Sequence, residues 1–219
     1  PLNAIIGFSE TMSEQYFGPL GSDNYKDYAE DIHDSGEHML ALINDMLDIA
    51  AIEAGKRSMV REEVDVAVIL GNSIRNVEQL AKNEGVKISL DVPSEVLTVY
   101  ADKRSATQIV YNILSNAIKF TPPEGHVSLE KQASDDDIVL AVVDSGIGLT
   151  DTEMIAAFEP FRQIQRGSSG KHEGVGLGLS LSRTLAEAHD GTLTLESVKT
   201  GGTKAILSLP AKRIITASD

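Results

Sequence analysis

From Tyr28 to Ile49 the chain sets Tyr28, Ile32, Ser35, Met39, Leu42, Met46 and Ile49 at alternating spacings of four and three, with Leu40, Ile43 and Leu47 beside them. That mixed period keeps one stripe of a helix turned toward a partner, so it predicts a long helix with a coiled-coil seam. Ahead of it, Leu2, Ile5, Ile6 and Met12 mark a shorter helix, and the turn-rich Phe17-Gly18-Pro19-Leu20-Gly21-Ser22-Asp23-Asn24 separates the two. The unit reads as an antiparallel helical hairpin. A lone hairpin leaves an apolar face on each helix uncovered, and pairing two copies into a four-helix bundle covers both. A homodimer through the hairpin is therefore expected; the other way to cover the seam is to pack it on the chain's own second domain.

The periodicity changes near Gly55 to Glu63, which sets the expected domains at 1–57 and 58–219. Beyond that boundary, helical spacing runs from Val66 to Asn83 and from Lys103 to Lys119. Val86 to Val92, Val127 to Gln132, Ile138 to Val143, Thr192 to Val198 and Thr203 to Leu209 read as strands. Short turns join several of them, at Ser134-Asp135-Asp136-Asp137 and Thr200-Gly201-Gly202. Strands gathered late, with helices before and between them, predict an α+β sandwich of helices on a mixed sheet.

Composition narrows the function classes. The formal charge of −14 leaves no clustered cations to neutralise phosphates along a nucleic acid, so nucleic acid is not an expected partner. There is no cysteine, which removes disulfides, thiolate metal sites and cysteine nucleophiles. The longest apolar runs fall well below the roughly 20 residues that span a bilayer, so no membrane contact by this stretch and a cytoplasmic setting are expected. The chain opens at Pro1 rather than Met and is expected to be a fragment whose parent could carry a membrane anchor.

Three stretches carry chemistry. In Asn112-Ile113-Leu114-Ser115-Asn116-Ala117-Ile118-Lys119-Phe120, Asn112, Asn116 and Lys119 fall at i, i+4 and i+7, so one helical face presents two amides and an ammonium. Amide oxygens are hard ligands suited to Mg2+, which keeps several waters and bridges to substrate phosphates, and a lysine can meet a phosphate oxygen. The plainer alternative is a solvated polar stripe. Asp144, at the end of an apolar strand, can accept from the exocyclic amine of adenine, while Gly146 and Gly148 allow close approach of the backbone. Its alternative is an Asx turn that ends the strand. Gly174-Val175-Gly176-Leu177-Gly178 opens a helix, and amides exposed at the positive end of a helix dipole suit phosphates. The preceding Gln165 to Glu173 reads as a mobile lid or a simple flexible loop.

Together these stretches make Val60 to Leu209 an expected Mg-ATP binding region of unusual design. A P-loop fails, because Gln165 stands where its first glycine belongs and His172 follows Lys171. The dinucleotide fingerprint lacks its third glycine, and the protein-kinase loops are missing.

The order and spacing of these motifs resemble the ATP-binding domain of bacterial two-component sensor histidine kinases, of the same superfamily as type II topoisomerase ATPases, Hsp90 and MutL. Asn112 to Phe120 matches the N box, Asp144 to Gly148 the G1 box, Phe158-Glu159-Pro160-Phe161 the F box, Gly174 to Gly178 the G2 box, and Gly201-Gly202-Thr203 the last glycine motif. Pro1-Leu2-Asn3-Ala4-Ile5-Ile6-Gly7-Phe8 and Ile52-Glu53-Ala54-Gly55-Lys56 look like the family's dimerisation hairpin and connector, and the Phe17 to Gly21 turn resembles the alphaproteobacterial PleC/DivJ-like group.

The resemblance implies a two-layer α/β sandwich behind a helical hairpin, and adds Phe120 and Thr203 to the nucleotide-binding residues. It implies that the phosphoacceptor histidine precedes Pro1, that the phosphoryl group passes on to an aspartate of a response-regulator receiver domain, and that no catalytic residue lies within the chain. A parent with another residue at the acceptor position would instead be an ATP-binding scaffold that recruits a receiver; a superfamily ATPase such as a chaperone is disfavoured by the hairpin. None of the five histidines is expected to substitute: His33 and His38 flank the seam on a partly exposed face, His126 precedes a strand, His172 lies in the lid stretch, and His189 ends a helix, where a cation would favour the dipole.

Overall fold

The structure is a computed structural model, and it describes residues 1–54, 56, 59–92, 98–132, 134, 137–164, 175–199 and 201–211. The chain divides into two compact units, 1–50 and 51–219.

The first unit holds the expected hairpin, with α1 at Leu2–Ser13 and all but the last three residues of α2, Asp23–Glu53. The turn between them uses left-handed backbone at Gln15, Gly18 and Gly21. The two helices approach closely at one point. Ser9 is fully buried and returns its hydroxyl to the Ile5 and Ile6 carbonyls at 2.8 Å each, His33 Nδ1 lies 3.4 Å from the Ile6 carbonyl, and a Cβ on Gly36 would stand 2.8 Å from Ile6 Cγ1. The line of α2 turned to α1 is thus the one through His33 and Gly36, which makes His33 half-buried, while His38 is exposed as expected. The seam lies on a different line: Tyr28, Ile32, Met39 and Met46 are between 46% and 59% exposed.

The second unit is a two-layer α/β sandwich. Its main sheet has the order β2-β4-β5-β7-β6, from β2 at Lys87–Asp91, β4 at His126–Gln132, β5 at Asp137–Asp144, β6 at Thr192–Ser197 and β7 at Thr203–Pro210. Only β2 and β4 run parallel; the other pairs are antiparallel. Alternation along the strands turns Val127, Leu129, Ile138, Leu140, Val142, Leu193, Ala205, Leu207 and Leu209 into the core. Against that face lie α3 (Val66–Glu84), α4 (Lys103–Lys119) and α6 (Gly178–Glu187), which bury Leu70, Val77, Ile109, Leu114, Ile118, Leu181 and Leu185.

The helix ends are specified locally. The Asp65 carboxylate accepts from Ala67 N at 2.8 Å to start α3, and Gly85, at φ 68°, ends it in the left-handed conformation. Asp102 accepts from Ser105 N at 2.9 Å to start α4. No helix among the described residues is long and apolar enough to cross a membrane.

Three elements lie outside the periodicity reading. Strands β1 (Glu62–Asp65) and β3 (Thr98–Ala101) pair antiparallel as a separate small sheet, and α5 (Asp151–Ala156) is a short helix. Four to six residues are too few to show a period. The start of α5 was nonetheless written locally, since Thr150 and Glu153 form a capping box.

The reading of His189 as a cation at a helix end is corrected. The side chain is 3% exposed, and burial, the largest influence, holds its pKa below the ordinary 6.5. Its Nε2 accepts from Asp102 N at 3.0 Å while Nδ1 lies 2.6 Å from the Leu185 carbonyl, an arrangement that only the neutral ring with its proton on Nδ1 satisfies.

Candidate nucleotide site

Most parts of the candidate site sit at the end of a regular element, while Asn112 lies in the middle of α4. β5 delivers Asp144 at its last residue, and β7 begins at Thr203 on the neighbouring strand. Asp144 Oδ1 accepts from Gly146 N at 2.8 Å and from Thr203 N at 3.0 Å. The first of these bonds is the Asx turn that stood as the plainer alternative for Asp144; it is present, and it occupies only one carboxylate oxygen. Oδ2 takes no hydrogen bond among the described residues. Burial is the largest influence on Asp144 and raises its pKa above the ordinary 3.8, while the two amide hydrogen bonds pull it back. A carboxylate held half-buried with one oxygen unengaged is disposed to accept from a ligand donor.

The glycines around Asp144 are there because side chains would not fit. A Cβ on Gly202 would collide with the Asp144 carbonyl, and one on Gly146 with the Phe120 carbonyl while standing 2.8 Å from Asp144 Oδ1. Gly148, at φ 68°, stacks on the Gly202 backbone. The sequence motifs around Phe120, Asp144 and Thr203 are therefore packed on one another. Phe120 itself is the C-cap of α4 and is half exposed.

On α4, Asn112, Asn116 and Lys119 share one face and are each partly buried. Asn112 Nδ2 donates to the Gly178 carbonyl at 3.2 Å and to Ser182 Oγ at 3.1 Å, which ties α4 to the first turn of α6. The Asn112 oxygen, the atom a cation needs, takes no part in these bonds. The side chains of Asn116 and Lys119 make no hydrogen bond or ion pair among the described residues. No group of three or more His, Cys, Asp or Glu residues suited to a metal occurs among the described residues. Two amide oxygens with substrate phosphates are a donor set that fits Mg2+, a hard cation that keeps several waters.

α6 opens at Gly178 after the N-cap Leu177, which offers no capping side chain, so its first amides stand without one. Val175, Gly176 and Gly178 are partly exposed and Leu177 is buried. Gly176, at φ 75°, is needed because a Cβ would stand 2.6 Å from the Arg162 carbonyl, and Phe161 N donates to the Gly176 carbonyl at 3.0 Å. The F box is thus joined to the G2 box, and Phe158 is further held under the Arg183 guanidinium, 5.0 Å from its ring centre. Gly174 and the expected lid Gln165 to Glu173 lie outside the described residues, as do Gly55 of the connector and Thr200. Gly202 and Ser182 were not among the predicted site residues; the glycine run signalled the first, whereas the second is identified only by the contact with Asn112.

Comparison with known proteins gives the same assignment. Residues 101–213 match the family described as histidine kinase-, DNA gyrase B- and HSP90-like ATPases, and residues 1–55 match the His Kinase A (phospho-acceptor) domain. The chain is 41% identical over 216 residues to the non-motile and phage-resistance protein of Caulobacter vibrioides, an alignment that covers 97% of this chain and 26% of that protein. It is 41% identical over 224 residues to the cell-division control histidine kinase PdhS of Brucella suis, which covers 98% of this chain and 22% of that one. It therefore spans about a quarter of the length of these curated relatives. Among solved structures it resembles full-length ShkA in complex with AMPPNP, with a TM-score of 0.80, 27% identity, and 96% of this chain and 43% of that one covered. It shares the fold of the Acinetobacter baumannii histidine kinase AdeS at a TM-score of 0.69 and 17% identity, with 96% and 95% covered. Fold, motifs and relatives agree, and the chain belongs to the sensor histidine kinases of the alphaproteobacterial group, as a phospho-acceptor-type hairpin followed by an ATP-binding domain.

Proposed function

We propose that residues 58–219 bind Mg-ATP as the catalytic domain of a protein-histidine kinase, and that residues 1–57 form its dimerisation and phosphotransfer hairpin. The observation that carries this reading is Asp144, whose Oδ1 is locked by two backbone amides while Oδ2 takes no hydrogen bond among the described residues. Oδ2 would accept from the adenine amine, an interaction guanine cannot offer because it carries a carbonyl there. Gly146, Gly148 and Thr203 shape the base end, with Phe120 beside them. The amides of Val175, Gly176, Leu177 and Gly178 would face the phosphates, and Lys119 would meet a phosphate oxygen. Mg2+ held by the oxygens of Asn116 and Asn112 would offset charge on the phosphates.

In a longer parent, the γ-phosphoryl group leaves the β-phosphate of ATP and bonds to an imidazole nitrogen of a histidine preceding Pro1. It then passes to a receiver aspartate. The chain supplies positioning and charge rather than a covalent partner. The exposed seam of Tyr28, Ile32, Met39 and Met46 supports a homodimer through the hairpin, since a second copy would bury it.

Calorimetry of the chain with a non-hydrolysable ATP analogue, with and without Mg2+, tests the pocket: saturable binding that Mg2+ strengthens is expected, and no binding would refute the reading. A parent extended upstream of Pro1 should acquire acid-labile label from γ-labelled ATP. Binding without label would support the scaffold alternative.

A further inference from the structure

Helices α4 and α6 run antiparallel and are tied at two places. At one, Asn112 bonds to Gly178 and Ser182 in the first turn of α6; at the other, where α4 starts and α6 has just ended, Asp102 N donates to His189 Nε2. The two ties are about 15 Å apart along α4 at 1.5 Å per residue. A second set of bonds converges on the His189 end. Asp102 Oδ2 accepts from Val60 N at 3.1 Å, and Arg61 donates to the Ala188 carbonyl at 2.6 Å and pairs with Asp190 at 2.7 Å. The segment leading into β1 is thereby fastened to the same joint.

We propose that His189 is a positioning residue for the nucleotide site: it sets the register of α4 against α6 and, with Asp102 and Arg61, makes nucleotide affinity depend on how the Val60–Arg61 segment is held. This rests on the ATP-binding reading above. Asn112, Asn116 and Lys119 ride on α4, and Gly176 to Gly178 lead into α6. A slip of one helix along the other separates the two halves of the pocket, although no group of the joint belongs to it. The coupling runs through two rigid helices and named hydrogen bonds. It is also sensitive to protonation. A proton on Nε2 would set one N–H against the Asp102 N–H. The charged groups facing the ring are Asp102 at the start of α4, Arg61 ahead of β1 and Asp190 in the turn after α6, and burial keeps the ring neutral down to below pH 6.5.

The test is the affinity of the 219-residue chain for AMPPNP between pH 5 and 8, measured by calorimetry for wild type, Arg61→Ala, His189→Ala and His189→Gln, with Asp144→Asn as the pocket control. Expected results are a loss of about three- to tenfold for Arg61→Ala and a larger loss for His189→Ala at pH 7.5, in line with known long-range couplings, the latter narrowing toward pH 5 as protonation costs wild type the same bond. Gln keeps one donor and one acceptor and cannot be protonated. His189→Gln should therefore bind within about threefold of wild type at pH 7.5 and lose the acid-dependent part of the wild-type profile. If His189→Ala does not fold, the Gln and Arg61 variants decide. Wild-type affinity in Arg61→Ala together with an unchanged acid limb in His189→Gln overturns the proposal while leaving the ATP site standing. Absence of binding by wild type overturns both.

Discussion

Asp144 Oδ1 accepts the backbone N–H of Thr203 at 3.0 Å, across 59 residues of sequence. That bond joins the end of β5 to the start of β7 and leaves the second carboxylate oxygen without a hydrogen bond among the described residues.

Replacing Asp144 by Asn separates binding from stability. The folded-state pKa of Asp144 lies above the ordinary 3.8, so its contribution favours folding at pH below that value and is lost as pH rises through the raised one. At neutral pH the ionised side chain is a burden on the unliganded fold. Asp144→Asn, whose oxygen can still accept from Gly146 and Thr203, should melt at the same temperature or higher. A charge-assisted hydrogen bond is worth about 1.5–3 kcal/mol, so ATP affinity should fall roughly ten- to a hundredfold. Unchanged affinity by calorimetry would remove Asp144 from the site.

Gly202→Ala has no low-energy solution. The position has φ 95°, and its new methyl would overlap the Asp144 carbonyl. Strain of this kind costs about 1–3 kcal/mol before any clash is counted. Chemical denaturation should therefore show a loss of at least about 2 kcal/mol, with nucleotide binding weakened in the fraction that folds. A fully stable variant would mean that the two glycine motifs are not packed as described.

Asn116 should govern the metal dependence. Asn116→Ala is expected to bind ATP with an affinity that Mg2+ no longer strengthens, and to do so without a change in melting temperature, because its side chain makes no hydrogen bond among the described residues. Retention of the full Mg2+ effect would assign the ion to other ligands.

The hairpin seam is open to a charge test. Ile32→Glu with Met39→Glu places carboxylates on a stripe that is about half exposed in the single chain and would become buried in a bundle. Sedimentation should show wild type as a dimer and the double variant as a monomer that still binds nucleotide. A variant that remains dimeric would place the interface elsewhere.

His189 gives a stability test independent of nucleotide. Its folded pKa lies below the ordinary 6.5, so its contribution is fully present above pH 6.5 and is lost as pH falls through the lower, folded value. Wild type should lose stability over that window more steeply than His189→Gln, as measured by urea midpoints from pH 7.5 downward. Parallel curves would contradict the neutral, doubly bonded ring.

Much of this protein was legible from local pattern. The 4/3 spacing of the seam, the capped helices α3 and α4 and the five strands of the main sheet follow from periodicities that a single strand or helix expresses by itself. The family motifs named the residues proposed to meet a nucleotide. What tertiary structure decided is how those residues meet. Sequence left open whether Asp144 closed an Asx turn or faced a ligand; the fold gives one oxygen to the turn and to Thr203, and leaves the other without a hydrogen bond among the described residues. It turned Asn112 toward Ser182, drew Gly202 against Asp144, and buried His189 with its nitrogens already engaged, which removed its expected charge. The deciding partner in each case lies far along the chain: Thr203 for Asp144, Ser182 for Asn112, Asp144 for Gly202 and Asp102 for His189. Spacing along a chain carries the period of an element, whereas burial and hydrogen-bond partnership belong to surfaces that exist only once the elements are packed.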